Sequence, residues 1–148
     1  MANADKHASF ETNENGSTVY EVYISSNGGS NVSVAAPGTY IYSTVAGIAD
    51  RENNISTGQK YAKLTGTSMA APIAAGVASL VWSVNPNFTG ADVKNIVINT
   101  AKAGNTIVYD NPSSPTTGDF YMVNAKLAVE EAVRQTYGTS AVRGYVVD

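Results

Sequence analysis

The sequence predicts a loop-rich α/β protein, and three observations carry that prediction. Short β-branched and aromatic runs fill the first third, a small-residue helical stretch follows, and the remainder alternates helix with strand. Composition is compatible: of 148 residues, 43% are hydrophobic and 14% charged, with 13 glycines and nine tyrosines. That length supports one domain with a real core, and that hydrophobicity excludes a disordered chain. Composition alone would fit a β-rich fold equally well, so the order of the elements has to decide.

Thr18–Ile24 is rich in β-branched and aromatic residues and partly alternates, as a half-buried strand does. Asn27–Ser30 is a turn, and Val32–Ala35 is a short strand stopped by Pro37 and Gly38. Tyr40–Val45 is the next strand, and the polar stretch Ala49–Gln59 is a surface loop. Ser68–Ser83 is dominated by Ala, Val and Leu and predicts a buried helix, with Pro72 near its start, where a missing N–H costs little. Asn85 and Pro86 end it. Thr89 and Asp92 form a capping box for a second helix, with a stripe of Val93, Ile96, Val97 and Thr100 and a stop at Gly104. Strands follow at Thr106–Tyr109 and Phe120–Val123, separated by a Pro/Ser/Thr loop over 111–118. Asn124 caps a last amphipathic helix that runs to about Thr136. Gly138–Ala141 has the composition of a linker, and Gly144–Asp148 resembles the opening of a strand. There is no internal repeat.

Several function classes are excluded at once. With no cysteine there is no disulfide, no Cys-ligated zinc and no thiol nucleophile. A net charge of −3 without a basic cluster gives no footprint for nucleic acid. Met1–Lys6 has no apolar core and is not expected to act as a signal peptide. The longest apolar run, Met69–Trp82, is interrupted by Pro72, Gly76 and Ser79 and is expected to be too short to span a bilayer.

The chemistry concentrates in Leu64-Thr-Gly-Thr-Ser-Met-Ala-Ala-Pro72. Here a strand and a tight glycine turn hand over to a helix, where several N–H groups lack intrahelical partners and the dipole favours negative charge. A serine hydroxyl at that point can attack a carbonyl while its own N–H faces the developing oxyanion. The competing reading is that Ser68 merely caps the helix, since serine is among the commonest N-caps. The segment is not Gly-x-Ser-x-Gly, so it is not the nucleophile elbow of α/β-hydrolases.

Gly66-Thr-Ser-Met-Ala-Ala-Pro72, continuing to Ala75 and Gly76, resembles the serine signature of the subtilisin family. Ala8-Ser-Phe10, Val32-Ser-Val-Ala-Ala-Pro-Gly38 with Ile41-Tyr-Ser-Thr44, Asn85-Pro-Asn-Phe-Thr89 and Val123-Asn-Ala125 resemble further segments of that family in the expected order. The resemblance covers roughly residues 8 to 134. It implies a three-layer α/β fold with a mainly parallel sheet between helices, of which this chain holds about the C-terminal half. It also implies a serine endopeptidase acting on a polypeptide substrate, with Ser68 as nucleophile and oxyanion N–H donor. Thr65 and Thr67 would then line the approach to the site, and Gly66 would let the substrate backbone pass closely. Where the family commonly has His-Val-Ala-Gly after the proline, this chain has Ile73-Ala-Ala-Gly76. The stretches Thr18–Ile24 and Ala46–Gln59 look longer than the family minimum, as insertions near the substrate cleft would.

In that family the triad runs Asp, His, Ser along the chain. Only 67 residues precede Ser68 here, and they contain one histidine, His7, in Asp5-Lys-His-Ala-Ser9 rather than the family's H-G-T setting. His7 and Asp5 are therefore expected to be surface groups, and Asn3 lies too close to Ala8 to be the side-chain oxyanion donor. The expectation is a chain inactive alone, with an N-terminal half of the catalytic domain supplied in cis or in trans. The alternatives are a non-catalytic binding or scaffold domain of the same fold and one half of a split protease. Residues 1–137 would form the C-terminal part of the peptidase domain, and residues 138–148 a linker and the start of a β-sandwich module. No cofactor is implied. Calcium is a habit of the family, but Glu11, Glu14, Asp50 and Glu52 show no ligand spacing and are taken as solvated charges. A secreted or cell-surface location follows from resemblance alone, and neither a membrane nor nucleic acid is expected as a partner.

Overall fold

A computed structural model of the chain describes residues 2–5, 11–12, 18–19, 21–22, 32–50, 55–104, 106–108 and 119–142. Short strands come first: β1 (Ala2–Asp5), β2 (Glu11–Thr12), β3 (Thr18–Val19), β4 (Glu21–Val22), β5 (Ala35–Pro37), β6 (Ile41–Thr44) and β7 (Tyr61–Leu64). Two long helices follow, α1 (Thr67–Val84) and α2 (Gly90–Gly104), then β8 (Thr106–Val108), β9 (Asp119–Tyr121), α3 (Ala125–Tyr137) and the single turn α4 (Thr139–Val142).

Five strands form one sheet in the order β5-β1-β4-β8-β9. Its pairing is evenly mixed rather than mainly parallel. β1–β5 and β4–β8 run parallel, while β1–β4 and β8–β9 run antiparallel. Parallel neighbours need a crossover of a dozen or more residues, and only ten separate β8 from β9, so that pair folds back antiparallel. Met122 makes a parallel bridge to Ala35, and the Val123 N–H donates to the Ala35 carbonyl at 2.9 Å, tying the end of β9 back to β5. β6 and β7 form a separate antiparallel hairpin with Ile41 opposite Leu64 and Thr44 opposite Tyr61.

Local signals placed the helices well. The capping box at the start of α2 is complete: the Thr89 N–H and hydroxyl donate to Asp92 Oδ2 at 2.8 and 2.6 Å, and the Asp92 N–H returns to Thr89 Oγ1 at 3.2 Å. Its stripe of Val93, Ile96, Val97 and Thr100 is buried, and Gly104 is its last residue. Asn124 caps α3, its Oδ1 accepting from the Leu127 N–H at 3.0 Å. Strands moved more. Within Thr18–Ile24 lie β3 and β4, Val32–Ala35 gives way to β5 at Ala35–Pro37, and the polar loop is the connection of a β6–β7 hairpin, with Gly58 N–H to Gly47 O at 2.8 Å. Residues 139–142, expected within a linker, form α4 on α3. The turn at Asn27–Ser30, the loop 111–118 and the strand at Gly144–Asp148 lie outside the described residues.

The core joins Val34 and Ala36 to one face of each helix: Ala70, Ala74, Val77 and Val81 on α1, Val93, Ile96, Val97 and Ala101 on α2, Ala128 and Ala132 on α3. α1 packs on β5, β1, α2 and α3. It is not buried all round, as its small-residue composition predicted. Leu80 and Trp82 remain 50% and 48% exposed. At 18 residues with mean hydropathy 1.4, α1 is also long and apolar enough to cross a membrane by length and composition, which the interruptions at Pro72, Gly76 and Ser79 had argued against.

Candidate active site

β7 ends at Leu64, and the next two residues, Thr65 and Gly66, turn the chain into α1. The turn is fixed by two hydrogen bonds from the segment that follows β5. The Gly66 N–H donates to the Gly38 carbonyl at 2.8 Å, and the Tyr40 N–H donates to Thr65 Oγ1 at 2.9 Å. Gly66 has φ 154° and ψ 168°, a conformation that is essentially restricted to glycine. A Cβ there would meet nothing closer than Met69 Sδ at 3.8 Å, so the backbone conformation, and not crowding, requires glycine. Tyr40 sits opposite with φ 51°, a left-handed conformation that a bulky residue rarely adopts. A glycine-only residue and a strained tyrosine thus flank the turn that launches the helix.

Gly66, and not Ser68, is the N-cap of α1, and no side chain caps it. This removes the capping reading of Ser68, which is the second residue of the helix and is exposed. The Gly66 carbonyl accepts from both Met69 N–H (3.0 Å) and Ala70 N–H (3.3 Å), leaving the Thr67 and Ser68 N–H groups without an acceptor among the described residues. These are the orphan donors of a helix start, aimed where the dipole attracts negative charge. Pro72 lies past the first turn, so the Ser68 carbonyl loses the donor four residues on that an ordinary helix would supply. The Ser68 hydroxyl also has no hydrogen-bond partner among the described residues.

The four sequence-derived residues therefore sit in one continuous turn. Thr65 is exposed, with its oxygen committed to Tyr40; Gly66 is the cap; Thr67 opens the helix; Ser68 presents its hydroxyl to solvent. No described side chain stands as a base beside Ser68. His7 lies outside the described residues, and Asn3 and Asp5 are placed only as backbone in β1. Ile73 packs against the core cluster, which accounts for an apolar residue at that position. The role of Tyr40 was not visible in the sequence, because left-handed positions usually announce themselves as Gly or Asn. Its neighbour on the hairpin, Tyr42, stacks on Tyr61 with ring centroids 5.6 Å apart and holds β6 against β7.

The perturbed carboxylates belong to helix scaffolding elsewhere. The Asp92 carboxyl is held below its ordinary value, first by the Thr89 hydroxyl and then by the Thr89 N–H. Glu131 is likewise lowered, chiefly by the side-chain hydrogen bonds from Arg134, with Nε and Nη2 at 2.8 and 2.6 Å. Among the described residues, no group of three metal-ligating side chains converges.

Comparison with known proteins bears on the family and the fold. The model of the Subtilase family matches residues 9–139. M-protease of Shouchella clausii is 39% identical over 82 residues, 55% of this chain and 19% of its own length. Subtilisin-like protease 1 of Plasmodium berghei is 47% identical over 66 residues, 45% of this chain and 9% of its own. Among solved structures, fervidolysin of Fervidobacterium pennivorans, described as a keratinolytic enzyme related to subtilisin, has a TM-score of 0.60 at 28% identity, covering 87% of this chain and 18% of that one. The chain thus spans under a fifth of each of these relatives.

Proposed function

This chain belongs to the subtilase family, and on that premise we propose that it supplies the nucleophile of a serine endopeptidase that cleaves polypeptides. One observation carries the reading: Ser68 stands exposed as the second residue of α1, behind a glycine-only turn, with its own N–H and hydroxyl uncommitted among the described residues. In the proposed step Ser68 Oγ attacks the scissile carbonyl and its proton passes to a base. The carbonyl oxygen becomes an oxyanion beside the Ser68 N–H, where the helix start favours charge. Gly66 gives the substrate backbone room, and Thr65 and Thr67 flank its path. No cofactor is needed for this acyl transfer.

The base, its carboxylate partner and the second oxyanion donor come, in this reading, from polypeptide beyond the matched segment, in cis or in trans. For subtilisin itself, a known case and not one derived from this chain, losing the base costs about 10⁶-fold in rate. A lone oxyanion donor is worth only about 10²–10³. The chain by itself is therefore predicted to show no detectable proteolysis. A chromogenic peptide assay checks this; turnover by the isolated chain that disappears in Ser68→Ala would overturn it. We also propose, on family resemblance, that the protein works outside the cell; α4 packs on α3, so any exit from the peptidase domain lies after Val142 rather than at Gly138.

A further inference from the structure

Helices α2 and α3 run antiparallel and leave a polar groove between them. Gly104, the last residue of α2, lies against Asn124 and Leu127 at the start of α3. At the other end Asn85 Nδ2, just ahead of α2, donates to Thr136 Oγ1 near the end of α3 at 3.4 Å. The groove encloses about 450 Å³, within the range of ligand sites. Buried Ile96 and Thr100 form its floor. Its walls carry Asp92, Asn95 and Asn99 from α2 and Glu131 and Gln135 from α3. Asn95 and Asn99 are exposed, one helical turn apart, and neither side chain has a hydrogen-bond partner among the described residues. Gln135 Nε2 donates to Glu131 Oε1 at 2.6 Å, which leaves the Gln135 carbonyl oxygen open among the described residues. Arg134 compensates the Glu131 charge, whereas Asp92 accepts only from Thr89, through Oδ2, and meets no described cation.

We propose that this groove is an exosite that binds an extended, basic stretch of the polypeptide substrate, remote from Ser68. That it holds peptide follows from its own chemistry; that the peptide is substrate rests on the reading of the chain as an endopeptidase. Each carboxamide offers an N–H donor and a C=O acceptor, the same pair that a main chain presents. Residues four apart on a helix are separated by about 6 Å of rise, and two residues of extended chain advance about 6.6–6.8 Å. Asn95 and Asn99 therefore match alternate residues of a strand laid along α2, with Gln135 on the opposite wall. Such pairing reads the main chain and tolerates varied side chains. No Lys, Arg or His lines the groove, so a basic side chain over Asp92 supplies the missing charge. Asn85, at the Asp92 end, is the C-cap of α1, and Ser68 stands at the start of that helix. The helix rise between them is about 25 Å, the length of about eight extended residues, so one substrate chain has the reach for both sites.

The test titrates the full chain into a fluorescein-labelled octapeptide of alternating lysine and threonine, read by fluorescence anisotropy. Saturable binding is expected. Asn95→Ala combined with Asn99→Ala should weaken it about fivefold or more and leave the urea midpoint in place, since both side chains are exposed and alanine favours helix. Lys126→Ala, on α3 outside the groove, should change nothing. Asp92→Asn should bring the lysine peptide down to the affinity of a serine–threonine octapeptide. N-methylating every internal amide of the lysine peptide should abolish binding, whereas purely ionic capture would survive it. Ser68→Ala should bind as the parent does, so failure of the nucleophile reading leaves these results untouched. The proposal is overturned by the absence of saturable binding, or by binding that the double asparagine variant or N-methylation leaves intact. Displacement of the peptide by neutral cellohexaose overturns it too, since the groove would then be a glycan site.

Discussion

Around Ser68 the chain places two residues of opposite kind at positive φ. Gly66 occupies its conformation without penalty only because it has no Cβ, so Gly66→Ala should cost about 1–3 kcal/mol. Tyr40 is the mirror case: a bulky residue at φ 51° carries about 1–2 kcal/mol of left-handed strain. Replacing it with glycine relieves that strain but loosens the unfolded chain by about 0.4–1 kcal/mol. The relief is the larger effect, so Tyr40→Gly should stabilise modestly. Urea midpoints measured side by side decide both, and a glycine at position 40 that lowers the midpoint would show that Tyr40 is not strained. Ser68 itself was legible in the sequence, because its surroundings form a contiguous string. Tyr40 was not, since its role arises from a hydrogen bond to Thr65, 25 residues away, and its side chain gives no hint of φ.

Adjacent residues on α1 make the element-scale argument sharp. Ala74 is buried and Ala75 is exposed, yet the sequence offers two alanines in a row. Lysine at position 74 would put an unpaired charge into the core, with a loss of several kcal/mol. Lysine at 75 should change the stability of the isolated chain by less than about 0.5 kcal/mol. Val81, the largest fully buried side chain, should cost about 2 kcal/mol when cut to alanine. Equal effects at 74 and 75 would mean the two faces of α1 are not distinguished. This is also why the sequence misjudged α1: both faces are apolar, so periodicity could not say which one this chain covers. The cap of α2 was legible, because Thr89 and Asp92 are three residues apart. Its pH dependence follows with a definite sign. Asp92 is depressed in the folded state, so its contribution is fully present above the ordinary value of 3.8 and is lost as pH falls through the lower folded value. Thr89→Ala should cost about 1 kcal/mol at neutral pH and flatten the acid limb of a urea-midpoint titration.

At the scale of the whole molecule, alanine supplies eight of the sixteen buried hydrophobic residues among those described, so each core position removes little area from water. The sheet belongs to this scale too. The expected parallel pairing depended on contacts between segments far apart in the chain, such as Ala2 with Ala35, and no local pattern reports their direction. The same long-range view decides what α1 does near a bilayer. Its 18 residues would span about 27 Å, close to a hydrocarbon core, and its composition would permit insertion. Insertion would, however, strip Ala70, Ala74, Val77 and Val81 from α2, α3 and β5 and leave the stripes of those elements facing water. Packing in the core is the stronger demand, so the chain should stay in the aqueous fraction when floated with phosphatidylcholine vesicles. Trp82 is the one tryptophan in the sequence and sits half-exposed on α1, which makes its emission a direct reporter. The spectrum should be unchanged by vesicles. A blue shift with lipid alone, together with flotation, would show that α1 leaves the core for the membrane.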